Sequence, residues 1–68
     1  MRDFKDIIIV LKRYISEDTK VYDKDVAELL HISQSYFATI KRRNSIPYAE
    51  ILKFCQREKL NCCDIFFN

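Results

Sequence analysis

A chain of 68 residues has room for one small domain with one core, and its 49% hydrophobic and 32% charged content is that of an ordinary globular protein with a wet surface. It contains no glycine and one proline, so it lacks the turn chemistry on which β-hairpins depend, and an all-α fold is expected. The longest apolar run, Ile7 to Leu11, is far short of a membrane span, and the mixed-charge start MRDFKD is not a signal peptide. Three cysteines without a secretion signal predict reduced, free thiols in a cytoplasmic protein.

The net charge of +2 is unevenly placed. Residues 1–32 carry six Lys/Arg against seven Asp/Glu, residues 33–49 carry three cations and no acid, and residues 50–68 carry three of each. The positive excess falls on one segment, HISQSYFATIKRR, which suits a local anion-binding face.

In chain order, Phe4, Ile7, Ile8, Leu11 and Ile15 fall on one helical face and predict a first helix over about residues 3–15, with Ile9 off the stripe. The polar stretch SEDTKVY, residues 16–22, reads as a loop. A short helix follows from about Asp23 to Leu30, capped by Tyr22 or Asp23, with Val26, Ala27 and Leu30 inward. His31-Ile32 is a turn, and Ser33 an N-cap for a helix from Gln34 to about Arg43 whose inward residues are Phe37 and Ile40. Pro47 fits the first position of a fourth helix, where its missing N–H costs nothing. That helix is expected to bury Ile51, Leu52 and Cys55 and to end near Lys59, and Asn61 can cap a last short helix holding Ile65 and Phe66.

The two short helices at about 23–43 have the offsets of a helix-turn-helix: small Ala27 where the helices cross, Ile32 plugging the turn, and Phe37 and Ile40 completing a wedge with Val26 and Leu30. With Phe37 and Ile40 inward, the rotation of 100° per residue puts Ser35, Thr39 and Arg42 at the centre of the outward face, flanked by Gln34 and Ala38. Gln can pair with adenine, Ser and Thr can donate or accept, and Ala or a Thr methyl can meet a thymine methyl. Solvated helix faces usually carry Glu and Lys in number, whereas this one has no acid.

The stretch DVAELLHISQSYFATIKRR, followed by SIPYAEILKFCQREKLN, resembles the helix-turn-helix domain of the bacteriophage CI repressors, within the lambda-repressor-like DNA-binding folds. The resemblance covers nearly the whole chain, although the first helix matches in pattern only. It implies a compact five-helix domain over residues 1–68 that binds near-palindromic operator DNA as a homodimer and acts as a transcriptional repressor or regulator of phage or prophage type. By match to the family's motif, Gln34, Ser35, Tyr36 and Thr39 take the groove-facing positions. The residues expected at base edges are thus Gln34, Ser35, Tyr36, Ala38, Thr39 and Arg42, and those expected at phosphate are Ser33, Lys41, Arg43 and Asn44.

Three departures from the family pattern carry physical content. Where His31 stands, the family usually has glycine, because that turn residue takes φ > 0; histidine tolerates this at a modest cost. Asp23 stands where a glutamine often reaches phosphate, and an acid there would repel one. Typical repressors of the family also continue into a C-terminal dimerisation and self-cleavage domain, which has no counterpart in these 68 residues; an excised domain and a stand-alone small regulator both fit.

Other chemistries are poorly served. Cys55, Cys62, Cys63 and His31 could supply four zinc ligands by count, but no C-x2-C pair exists and His31 belongs to a distant turn, so no metal or other cofactor is expected. Cys55 reads as core. One histidine without a Ser or Cys partner makes no triad, which argues against an enzyme or a small-molecule substrate. The competing reading is a protein-interaction module on the same helical fold, for which exposed aromatics or leucines would be expected on the second helix; Tyr36 alone suits either role.

Overall fold

A computed structural model describes residues 1–67. Five α-helices and no strand are present among them: α1 (Phe4–Ile15), α2 (Asp23–Leu29), α3 (Gln34–Arg43), α4 (Tyr48–Glu58) and α5 (Cys63–Phe66). None is long and apolar enough to cross a membrane. The body measures 27 × 26 × 21 Å, with α2 packed on α1 and α3, and α5 packed on α1.

One continuous cluster forms the core, and every helix contributes to it. Phe4, Ile7, Ile8 and Leu11 come from α1, Val26 and Ala27 from α2, Phe37 and Ile40 from α3, Ile51, Phe54 and Cys55 from α4, and Ile65 and Phe66 from α5. Leu30, just past α2, completes it. Phe4 and Phe37 meet with ring centroids 5.6 Å apart, which locks the start of α1 over the middle of α3. Burying side chains of this kind stabilises by about 1.5–3 kcal/mol each, so this cluster supplies most of what holds so short a chain together.

Two residues expected inside lie outside. Ile15 is 39% exposed, at the last position of α1. Leu52 is 48% exposed, and Phe54 takes the inward place beside Ile51 and Cys55; residues i, i+3 and i+4 share a helix face, whereas i+1 does not. Ile9 is off the buried stripe as expected, at 49% exposure.

The helix starts follow from their caps. The Asp3 carboxylate accepts from the Asp6 N–H at 2.9 Å, and the Ser33 hydroxyl oxygen accepts from the Tyr36 N–H at 3.1 Å. Tyr22, not Asp23, is the cap residue of α2, and the Asp25 carboxylate reaches back to its N–H at 2.9 Å. Pro47 stands at the cap of α4 instead of its first position, since its ψ of 76° is not helical, and its carbonyl accepts from Ile51. The N-cap of α5 is Cys62 and not Asn61, although the Asn61 side chain, one residue earlier, accepts from the Cys63 N–H at 3.0 Å.

The ends of α2, α3 and α4 share a device. His31, Asn44 and Lys59 take φ of 58°, 54° and 55° in a chain without glycine. After each, the next N–H bonds five residues back, Ile32 to Ala27, Ser45 to Ile40 and Leu60 to Cys55, while the αL residue itself bonds to Glu28, Lys41 or Gln56. These are Schellman closures, which satisfy carbonyls a helix end leaves open. Only the first was foreseen.

The third reversal has a covalent consequence. It turns the chain back along α4 and brings Cys62 to Cys55, with Cα atoms 5.8 Å apart, and the two form a disulfide. The expectation of three free thiols is therefore corrected; only Cys63, which is exposed, is free among the described residues. Cys55 is core, as its sequence position suggested.

Candidate nucleic-acid interface

The α3 helix carries no acid, and burying Phe37 and Ile40 leaves the rest of its surface to solvent. Gln34, Ser35, Ala38 and Arg42 are exposed on it, as is Tyr36, at 45%. Thr39 is only half-exposed, and its hydroxyl donates to the Ser35 carbonyl one turn back at 3.0 Å. Its methyl and oxygen lone pairs stay available, but its proton is committed. Six residues expected at base edges thus share one helix without an opposing charge.

The residues expected at phosphate are less alike. Arg43 is exposed in the last turn of α3. Ser33 is exposed, with its oxygen engaged in the cap, leaving its hydroxyl proton to donate. Asn44 does two structural jobs: it reverses the chain in the αL conformation, and its Oδ1 accepts from the Phe4 N–H at 3.2 Å, tying the start of α1 to the end of α3. Lys41 does not point its ammonium freely outward. It donates to Asp23 Oδ2 at 2.6 Å.

Asp23 is the centre of this arrangement. Its other oxygen, Oδ1, lies 3.0 Å from the Lys12 ammonium, so one carboxylate joins α1, α2 and α3. The hydrogen bond from Lys41, with a further one from Lys12, holds its carboxyl below the ordinary carboxylate range, against the opposing effect of desolvation. An acid where a phosphate contact would be repelled is thereby neutralised within the protein.

Around it the fold sorts charge in a way the sequence order hides. Two adjoining grooves share Asp23, Lys24 and Lys41, and together bring six cations (Lys5, Lys12, Lys20, Lys24, Lys41 and Arg42) to one face against the single acid Asp23. Four of these come from the first 32 residues, whose net charge is negative. Lys20 and Lys24 also lie over the exposed Tyr22 ring, 5.3 and 5.9 Å from its centroid. Sequence reasoning missed Lys5, Lys12, Lys20 and Lys24. Lys24 alone carried a signal, lying on α2 next to a groove-side residue and off its Val26–Ala27 face.

Among the described residues no three His, Cys, Asp or Glu side chains converge as ligands for a metal. Neither protein-family models, nor curated proteins, nor solved structures provide a match to this chain.

Proposed function

We propose that the chain is a sequence-specific double-stranded DNA-binding protein of the lambda-repressor-like helix-turn-helix kind. In this reading α2 and α3 form the motif, α3 enters the major groove, and the protein is not an enzyme. It acts as a repressor or regulator of phage or prophage type, as a homodimer on a near-palindromic operator. The observation that carries the reading is the acid-free outward face of α3, bearing Gln34, Ser35, Ala38 and Arg42, set beside a band of lysines from α1, α2 and the loop before it. Short polar side chains can reach base edges while cations along the rim meet the phosphates.

The exposed Tyr36 ring favours one second reading, in which α3 docks on a partner protein. A binding titration on random-sequence duplex across a salt series, followed by selection of bound sequences from a random pool, separates the two. DNA binding requires log K to fall linearly with log salt and one sequence to be enriched. Salt-insensitive or undetectable binding would leave the docking reading in its place.

A further inference from the structure

We infer that the groove between the starts of α1 and α2 and the flank of α3 is a phosphodiester-binding site whose ligands are Lys5 and Lys24. The inference rests on the DNA-binding reading and narrows its lysine band to two phosphate ligands. The groove is lined by Lys5, Lys24, Lys41 and Arg42 with Asp23 as its one acid. Asp23 is compensated at 2.6 Å by Lys41 and at 3.0 Å by Lys12, so these three groups present +1 in total and do not repel an anion.

The ion pairs also decide which cations do the binding. Lys41 and Lys12 are occupied by Asp23, whereas Lys5 and Lys24 are exposed and, among the described residues, paired with no carboxylate. An ammonium is a compact point charge that suits a phosphate oxygen without demanding one orientation. Gln34 and Ala38 line the same groove, so an anion held there lies directly beside the proposed base-reading face. When a helix occupies a major groove, a phosphate strand runs along each rim of that groove. Lys5 and Lys24 reach one such rim from α1 and α2, in the protein groove whose other wall carries Lys41 and Arg42 of α3.

The test uses the whole chain and a random-sequence duplex, with Lys5→Gln, Lys24→Gln, the double variant, and Lys53→Gln as a control that removes the same charge from an exposed α4 position outside both grooves. Gln removes the charge while keeping a polar side chain with part of each aliphatic stem, and a thermal melt of each variant checks that it is folded. Each groove variant should lower the salt slope by about 0.9, the double variant by about 1.8, and Lys53→Gln should leave it unchanged. Equal losses for Lys53→Gln, or unchanged slopes for both groove variants while the wild type still binds DNA, overturn the site and leave the DNA-binding reading standing. No salt-dependent binding by the wild type overturns both. Titration with inorganic phosphate at fixed ionic strength forms a last arm. Saturable binding lost in the double variant, with DNA slopes unchanged, would assign the groove to a free phosphate and overturn the proposal.

Discussion

Lys41 donates a 2.6 Å hydrogen bond to Asp23, and this contact fastens α3 to the first residue of α2. With Lys12 on the other oxygen, the carboxylate fixes three helices at the point where the basic band crosses them. The same contact withdraws two ammonium groups from any anion. It is an orienting interaction more than a stabilising one, because all three side chains are about a third exposed and solvent screens them.

Asp23→Asn should therefore cost less than about 1 kcal/mol at neutral pH. It should raise the affinity for random-sequence DNA and steepen the salt slope by up to about two ions, as Lys12 and Lys41 become free. The pH dependence has a definite sign. The folded carboxyl sits below its unfolded value, so its stabilisation is present above the ordinary carboxylate range and is lost as pH falls through the folded value. Denaturant midpoints measured from neutral pH down to about pH 2 should drop less for Asp23→Asn than for the wild type. Parallel curves would show that Asp23 contributes nothing to the acid limb.

Tyr14 ties the last turn of α1 to the last residue of α4. Its hydroxyl donates to Glu58 at 2.6 Å, and that bond, aided by desolvation and the Glu58 charge, raises its pKa above the usual phenol range. The contribution is complete below the unfolded value of about 10 and is lost as pH rises through the folded one. Ultraviolet titration of phenolate should show one tyrosine ionising later than the rest, and Glu58→Gln should bring it back toward them.

The three left-handed helix ends allow a comparison of side chains at matched backbone geometry. His31 and Lys59 spend their αL conformations on reversal alone, and their side chains are exposed. Glycine removes the steric penalty at such a position but costs unfolded-state entropy, so His31→Gly and Lys59→Gly should change stability by less than about 1 kcal/mol, toward gain. Asn44→Gly keeps the backbone but loses the acceptor for the Phe4 N–H, and should cost about 0.5–1.5 kcal/mol more than the other two. Denaturant melts of the three variants make the comparison. A loss of several kcal/mol at His31 would mean that its ring is bonded.

Much of this architecture was legible in the sequence, and the parts that were not have physical reasons. The cap Ser33 and the paired offsets of Ala27, Ile32, Phe37 and Ile40 are local, and local pattern set the five helices close to their observed bounds. Phe54 was legible too, since it lies three residues after Ile51, and Leu52 was a misreading of the same stripe. The lysine band was not legible. Lys5, Lys12, Lys20 and Lys24 are interspersed with acids along the chain, and only the packing of α1 and α2 against α3 turns the four to one side. The second duty of Asn44 likewise depends on Phe4, forty residues away.

The disulfide makes a prediction of its own. Cys55 and Cys62 are seven residues apart, and closing so short a loop restricts the unfolded chain by roughly 2.5 kcal/mol in the chain-entropy account. A strong thiol reductant should lower the melting temperature of the wild type, whereas Cys63→Ser should respond like the wild type and Cys62→Ser should not respond. A metal chelator should change none of these melts. Two or more thiols titrating in the native, unreduced protein would show that the bridge is absent.

The last prediction separates the two kinds of DNA contact proposed for α3. Gln34 is exposed at the helix start, and Thr39 lies one turn above Ser35 with its proton given to the Ser35 carbonyl. Gln34 can make a paired contact, and Thr39 keeps a methyl and an acceptor, so the larger effect is expected at Gln34. Gln34→Ala should cost about 1–3 kcal/mol on the cognate site and little on scrambled DNA, with Thr39→Ala at the lower end of that range. Arg43, exposed in the last turn of α3, should act on phosphate; Arg43→Ala should weaken both duplexes alike and lower the salt slope by about one ion. A homodimer of such a motif reads two half-sites about one turn of duplex apart, so the cognate site should be a near-palindrome with centres roughly 34 Å apart. Binding isotherms for the three variants on cognate and scrambled duplexes, each across a salt series, decide the matter. Should Gln34→Ala and Thr39→Ala leave cognate affinity intact, α3 does not read bases, and its exposed face with Tyr36 belongs to a protein partner instead.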